Sequence, residues 1–267
     1  MLKTRVLTGA VLTVVVLAAL YFSRYPYVMS VCAALLAFGA AWEVFGVCGA
    51  GRKSPWFVVC AVIAVLLPFV PISCFLPAAA SVLGFAWLGC ESRDFEGFLL
   101  PRGVVPILFS VLASLMLCAF PLLCGMNNGV YLLLLAFVAC TATDTMAYFI
   151  GSRFGKHRLA PRVSPKKSVE GAVGGTMIAL LLSLLYCYGA ASLLHTEVNL
   201  GRAAVYTLLG SVAGQCGDLS LSVIKRIAGV KDYGRLFPGH GGVLDRFDSM
   251  LFCAPLTLLY VTLFPIF

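Results

Sequence analysis

The sequence predicts an all-α, polytopic integral membrane protein of about nine transmembrane helices with cytoplasmic polar loops. Three observations carry that reading. The 267 residues are 61% hydrophobic and only 11% charged, whereas a soluble domain is about one-quarter charged. The apolar residues gather into segments near the roughly 20 residues a helix needs to cross a bilayer. The basic residues fall almost wholly on one side of the alternating topology that those segments imply.

The first segment, 6–22, follows a basic start, Met1-Leu2-Lys3-Thr4-Arg5. It is too long for the apolar region of a cleavable signal peptide, and no small-x-small site follows, so it reads as a first transmembrane helix. The next segments are 27–47, 56–70, 72–89, 104–123, 130–150, 171–194, 203–217 and 249–267. Pro68, Pro71 and Pro77 interrupt the third and fourth, which also suit a shallow hairpin. With a cytoplasmic N-terminus and nine crossings, the cytoplasmic side holds Lys3, Arg5, Arg52, Lys53, Arg93, Arg102, six basic residues from Arg153 to Lys167 and five from Lys225 to Arg246. That is 17 of the 19, with Arg24 and Arg202 outside. The net charge of +8 is then a cytoplasmic-face charge, suited to anionic headgroups and nucleotide phosphates.

Polarity divides the chain into apolar N-terminal transmembrane helices, 1–125, and a C-terminal catalytic transmembrane region, 126–267, with polar loops at 151–170 and 225–248. The eleven cysteines are scattered through apolar stretches without a C-x-x-C, as small buried hydrophobes are. Gly210 and Gly214 have small-xxx-small spacing, which serves helix packing. No phosphate-binding Walker loop, G-x-S-x-G elbow, H-E-x-x-H or zinc spacing is present, which argues against those chemistries.

Four carboxylates stand near membrane segments. Asp144 lies near the cytoplasmic end of the sixth, Asp218 ends the eighth, and Asp245 and Asp248 are three apart, on one side of a helical turn. Carboxylates converging near phosphates suit Mg²⁺, a hard cation that prefers oxygen, and ionisable residues inside a membrane are functional candidates. The plainer alternative is that Asp144 and Asp218 pair with nearby Lys or Arg. Lys166, Lys167, Lys225, Arg226, Lys231, Arg235 and Arg246 suit phosphate binding, Arg bidentately and Lys as a point charge; topology or headgroup roles compete for each. In Ser164-Pro165-Lys166-Lys167-Ser168, adjacent lysines precede a helix N-terminus, an arrangement that favours anions. His240 sits among Gly239, Gly241 and Gly242, where a phosphate donor, a proton shuttle and a structural hydrogen bonder are equally open readings.

These residues resemble the signature of the phosphatidate cytidylyltransferases. Across 222–248 the pattern S-x-apolar-K-R-x4-K-D-x-small, then P-x-H-G-G-apolar-x-D-R-apolar-D, is met by Ser222, Lys225, Arg226, Lys231, Asp232, Gly234, Pro238, His240, Gly241, Gly242, Asp245, Arg246 and Asp248. The stretches D-T-M-A-Y-F-I-G-S-R-F-G-K-H and Q-C-G-D-L resemble two further family blocks, so the likeness runs from about residue 139 to the end. Two positions depart. Leu221 stands where the family usually has Glu, and Ser168 where Thr is common.

The resemblance implies transfer of a cytidylyl group from CTP to phosphatidic acid, giving CDP-diacylglycerol and pyrophosphate. It implies Mg²⁺, with room for a second cation, a homodimer, and a bacterial cytoplasmic membrane with the site facing the cytoplasm. Carried onto this chain, the catalytic residues are Asp218, Asp245, Lys225, Arg226 and His240. The substrate-binding residues are Lys166, Lys167, Ser222, Lys231 and Arg246. The metal ligands are Asp218 and Asp245, supported by Asp144 and Asp248. Two other classes compete: a CTP-dependent lipid kinase, and a non-enzymatic transporter, which the clustering of charge at one face disfavours.

Overall fold

The structure, a computed structural model, describes residues 2–25, 27–91, 100–239 and 241–267, with residues 2–7 described by backbone alone. Arg93 and His240 lie outside the described residues. Ten α-helices follow in order: α1 Leu2–Phe22, α2 Val28–Val47, α3 Pro55–Leu66, α4 Phe75–Glu91, α5 Val104–Leu117, α6 Ala119–Cys124, α7 Gly129–Phe154, α8 Val169–Leu194, α9 Leu200–Ile227 and α10 Leu244–Leu263.

Among the described residues, five stretches are long and apolar enough to cross a membrane: Val28–Val47, Val104–Cys124, Gly129–Phe154, Val169–Leu194 and Leu244–Leu263. Thr8–Phe22, Pro55–Phe69 and Phe75–Glu91 are apolar but shorter. Each of the nine expected segments is helical, and length and composition support five of them as spans among the described residues. Two of the other four have a visible reason. Pro68 falls in a short 3-10 turn, Leu67–Phe69, that ends α3 early. The 28-residue α9 carries Arg202, Asp218, Lys225 and Arg226, which lower its hydropathy. α3 and α4 both pack on α5, α4 also contacting α9 and α10.

α9 does not end at Asp218, as the sequence suggested. It continues to Ile227 because Leu221, Val223 and Ile224 have buried positions to fill. The extension, with positions four and seven apart on one helical side, brings Asp218, Ser222 and Lys225 to one face. The connection from α7 to α8 also differs from an all-α expectation: it forms a small antiparallel hairpin, β1 Arg158–Ala160 with β2 Ser164–Ser168.

α10 is the hub. It contacts α2, α4, α5, α6, α7 and α9, and its apolar core includes Leu251, Phe252 and Leu258. α8 is peripheral, with Leu181, Leu185 and Leu193 exposed as a lipid-facing side would be. α7 and α8 pack very closely: a Cβ on Gly175 would come within 2.6 Å of the Thr143 carbonyl oxygen. That approach sets Asp144 of α7 beside the start of α8.

Candidate active site

The polar residues fall into two neighbouring groups. The first gathers α7, α8, α9 and β2 around a cavity of about 240 Å³ lined by Asp144, Lys166, Lys167, Ser168, Gln215 and Asp218. Ser168 caps α8, accepting from the Gly171 N–H at 3.1 Å. The dipole at that end favours an anion, while its Val169 and Gly171 N–H groups are engaged by the His157 carbonyl and Ser168 Oγ. Lys167 Nζ lies 2.5 Å from Asp218 Oδ2. The nitrogen is buried, and the ion pair with Asp218 is the contact that holds it there. Gln215 donates to Thr176 Oγ1 at 2.9 Å, tying α9 to α8. Asp144 accepts from Ser249 Oγ at 2.9 Å, tying α7 to α10, and Ser222 Oγ donates weakly to Asp218 Oδ1 at 3.4 Å. Asp248 is close enough for the charges of Asp218, Lys225 and Asp144 to act on it.

The second group surrounds Asp245 in the first turn of α10. Lys225 Nζ donates to Oδ1 at 2.9 Å, while the N–H groups of Tyr233 and Gly242 donate to Oδ2 at 2.8 and 3.0 Å. Lys225 also lies 5.3 Å from the centre of the Tyr233 ring, and Tyr233 donates its hydroxyl to the Leu221 carbonyl at 2.7 Å. Burial pushes the Tyr233 phenol above its ordinary range, so it remains a neutral donor. Phe237 N–H donates to Gly241 O at 2.9 Å, closing the turn between them, and Gly241 takes the positive φ that glycine tolerates. Lys231, Asp232, Arg235 and Arg246 line a polar cavity of about 640 Å³ on this side.

The expected site residues therefore divide. Asp218, Asp144, Lys166 and Lys167 share the first cavity, with Asp248 in electrostatic reach; Lys231 and Arg246 share the second. Lys225 lies in the buried pair with Asp245. Arg226 turns instead to the hairpin, donating from Nε to the Val163 carbonyl at 3.0 Å, which fixes the hairpin to the end of α9. Asp245 has both oxygens engaged by protein donors, so it stands apart from the carboxylates around Asp218. Leu221 is fully buried, so its side chain offers no oxygen at the position where the family expects a carboxylate.

Sequence reasoning missed Glu43. This α2 carboxylate, buried at 3% exposure, accepts the N–H groups of Val243 at 2.7 Å and Leu244 at 2.9 Å. It caps the exposed donors at the start of α10 from another helix. A Cβ on Gly242 would fall on that carboxylate, and one on Gly234 would come within 2.6 Å of it. The two glycines leave room for Glu43 inside the signature. A signal was present: Glu43 is the lone acid in an otherwise apolar segment.

Among the described residues, no three His, Cys, Asp or Glu side chains converge closely enough to hold a metal ion. The donor chemistry around Asp218 nevertheless suits a hard cation, being carboxylate and hydroxyl oxygen without sulfur. Asp218 already takes one cationic contact, from Lys167.

The cytidylyltransferase family model matches residues 3–264. A phosphatidate cytidylyltransferase of Staphylococcus haemolyticus (strain JCSC1435) is 42% identical over 130 residues, 49% of this chain and 48% of its own length. One from Staphylococcus aureus (strain COL) is 45% identical over 130 residues, again 49% of this chain and 48% of its own. One from Haemophilus influenzae (strain ATCC 51907 / DSM 11121 / KW20 / Rd) is 42% identical over 128 residues, 48% of this chain and 44% of its own. The chain spans about half the length of the relatives it matches. The family model, in contrast, takes in both α2, which supplies Glu43, and the α9–α10 region that Glu43 supports. On that near end-to-end match, the chain belongs to the cytidylyltransferase family.

Proposed function

We propose that this protein transfers the cytidylyl group of CTP to phosphatidic acid, releasing pyrophosphate and leaving CDP-diacylglycerol in the membrane. The observation that carries the reading is the Lys167 ammonium. Its nitrogen is buried, paired with the Asp218 carboxylate in the wall of the first cavity, and sits beside the anion-favouring start of α8. An ammonium has three donors, so phosphate oxygens entering the cavity would complete it.

In the reaction, a phosphate oxygen of phosphatidic acid attacks the α-phosphorus of CTP. The new P–O bond forms as the bond to the β-phosphate breaks, and pyrophosphate leaves with the electron pair. A phosphate monoester is largely ionised at neutral pH, with a second pKa of about 6, so the attacking oxygen needs little help from a base. What remains is positioning and charge neutralisation. Lys166, Lys167 and the α8 N-terminus serve the triphosphate. Lys231, Arg235 and Arg246 serve the phosphate of the second substrate. Asp218 and Asp144, which line the first cavity, would hold Mg²⁺ together with substrate phosphate oxygens, with the charge of Asp248 nearby; the ion supplies charge neutralisation when bound. Asp245 keeps the signature loop folded through Lys225, Tyr233 and Gly242.

The proposal extends to nine crossings with a cytoplasmic N-terminus, in a bacterial cytoplasmic membrane, and to a homodimer. The helical state of all nine segments supports the topology, as does the placing of 17 of 19 basic residues on one side.

Purified protein given Mg²⁺, phosphatidic acid and CTP labelled on its α-phosphate is expected to yield labelled lipid and free pyrophosphate, and chelating the metal to stop both. Label that remains in soluble CDP, with the γ-phosphate moved to lipid, would make the protein a lipid kinase. Ion or lipid flux in liposomes without nucleotide turnover would make it a transporter. Either result overturns the reading.

A further inference from the structure

A cleft in the N-terminal half runs along the signature loop. It encloses about 760 Å³ between α1, α2 and the 234–237 segment, within the range of pockets that enclose small molecules. Leu20, Leu36, Phe120, Phe137 and Phe247 make its apolar walls. Arg52 and Arg235 also line it, and both are exposed. Arg52 stacks on Trp42 at 4.3 Å and donates from Nε to the Trp42 carbonyl at 3.2 Å. Among the described residues, no carboxylate forms an ion pair with either arginine. Glu43, also in the wall, spends its carboxylate on the Val243 and Leu244 N–H groups.

Three residues of the loop, Gly234, Arg235 and Phe237, line both this cleft and the cationic cavity that holds Lys231 and Arg246. One thin wall thus has an apolar side and a cationic side. A phosphatidate has the same division, with long acyl chains joined through glycerol to a phosphate monoester. We infer that the cleft between α1, α2 and the 234–237 loop is the acyl-chain site for the lipid substrate, with Arg235 and Arg52 meeting its phosphate. This rests on the cytidylyl-transfer reading above and deepens it. The cavity around Lys167 shares no lining residue with the cleft, so nucleotide and lipid would reach the site from different sides.

An acyl chain moving from bilayer to cleft gains little hydrophobic free energy, because lipid tails are as apolar as the cleft walls. Selection must therefore come from the phosphate, and the cleft's part is to fix where the chain lies. That makes the site distinguishable from an annulus of bulk lipid.

The test uses the full chain in nanodiscs with a phosphatidate carrying a diazirine on one acyl chain, irradiated and mapped by mass spectrometry. The expected adducts fall in 15–20 of α1 and 35–39 of α2. Excess unlabelled phosphatidate should suppress them and phosphatidylcholine should not. Arg235→Gln should cut them about tenfold, the loss of one charge-assisted contact. Leu36→Trp, which fills the cleft from its wall, should cut them too, raising KM for long-chain phosphatidate while leaving KM for CTP unchanged. Equal suppression by phosphatidylcholine, adducts confined to the outer face of α8, or adducts bridging two copies of the chain would overturn the proposal. Turnover is measured on the same preparation. Adducts without turnover would keep the site and sink the reaction, and turnover without adducts would do the reverse.

Discussion

Asp218 and Asp245 carry the same functional group and were expected to share one role, yet their surroundings differ. Asp218 is part-exposed, faces a cavity, and forms an ion pair with one lysine. Asp245 is buried, and three donors from three chain positions fill both its oxygens. A carboxylate with unfilled valence facing a cavity can take up a ligand. One whose valence is filled by its own fold holds that fold in place. Asp245, inside the 222–248 signature, thus holds the fold, while the open carboxylate, Asp218, lies just before it.

Substitution at the two positions separates those roles. Asp218→Asn is expected to lower turnover by about 10²–10³-fold, the scale of losing one electrostatic stabiliser. The melting temperature in detergent should barely move, because part-exposed ion pairs contribute only about 0–1 kcal/mol. A variant that melts well below the parent would place Asp218 in the scaffold instead.

Asp245→Asn should act first on stability. It strands the buried Lys225 charge, which costs about 3–5 kcal/mol, visible as a lower melting temperature along with lost turnover. Replacing both partners, Lys225→Met with Asp245→Leu, should recover part of the stability and none of the turnover. Unchanged melting in Asp245→Asn would break the comparison.

Glu43→Gln should have the smallest effect of the three on turnover. Gln keeps one acceptor but turns donors toward a second N–H, so the loss is about 1.5–3 kcal/mol, the worth of a hydrogen bond to a charged group. Since Glu43 supports the loop and touches no reacting atom, turnover should fall severalfold with KM for CTP unchanged. A large rise in that KM would give Glu43 a direct part in nucleotide binding.

Much of the site was legible because it is local. The Lys166–Lys167 pair before a helix N-terminus and the glycines on either side of residue 240 are written in short stretches whose backbone chemistry is predictable. The continuation of α9 past Asp218 was missed because charged residues at a membrane helix end read as a boundary. Only the buried seats for Leu221 and Ile224 show why the helix goes on. Glu43 was missed because its partners are 200 residues away in the chain.

The sequence by itself determined the membrane-helical class, the gathering of basic residues into a few polar loops and the family signature, since hydropathy, charge sign and glycine or proline content are properties of residues and near neighbours. Only the tertiary structure decided which carboxylates are spent and which are open. It also decided which lysine pairs with Asp218 beside the first cavity, and that α2 reaches across to cap α10. Those outcomes depend on hydrogen-bond valence and burial, which are fixed when distant helices pack.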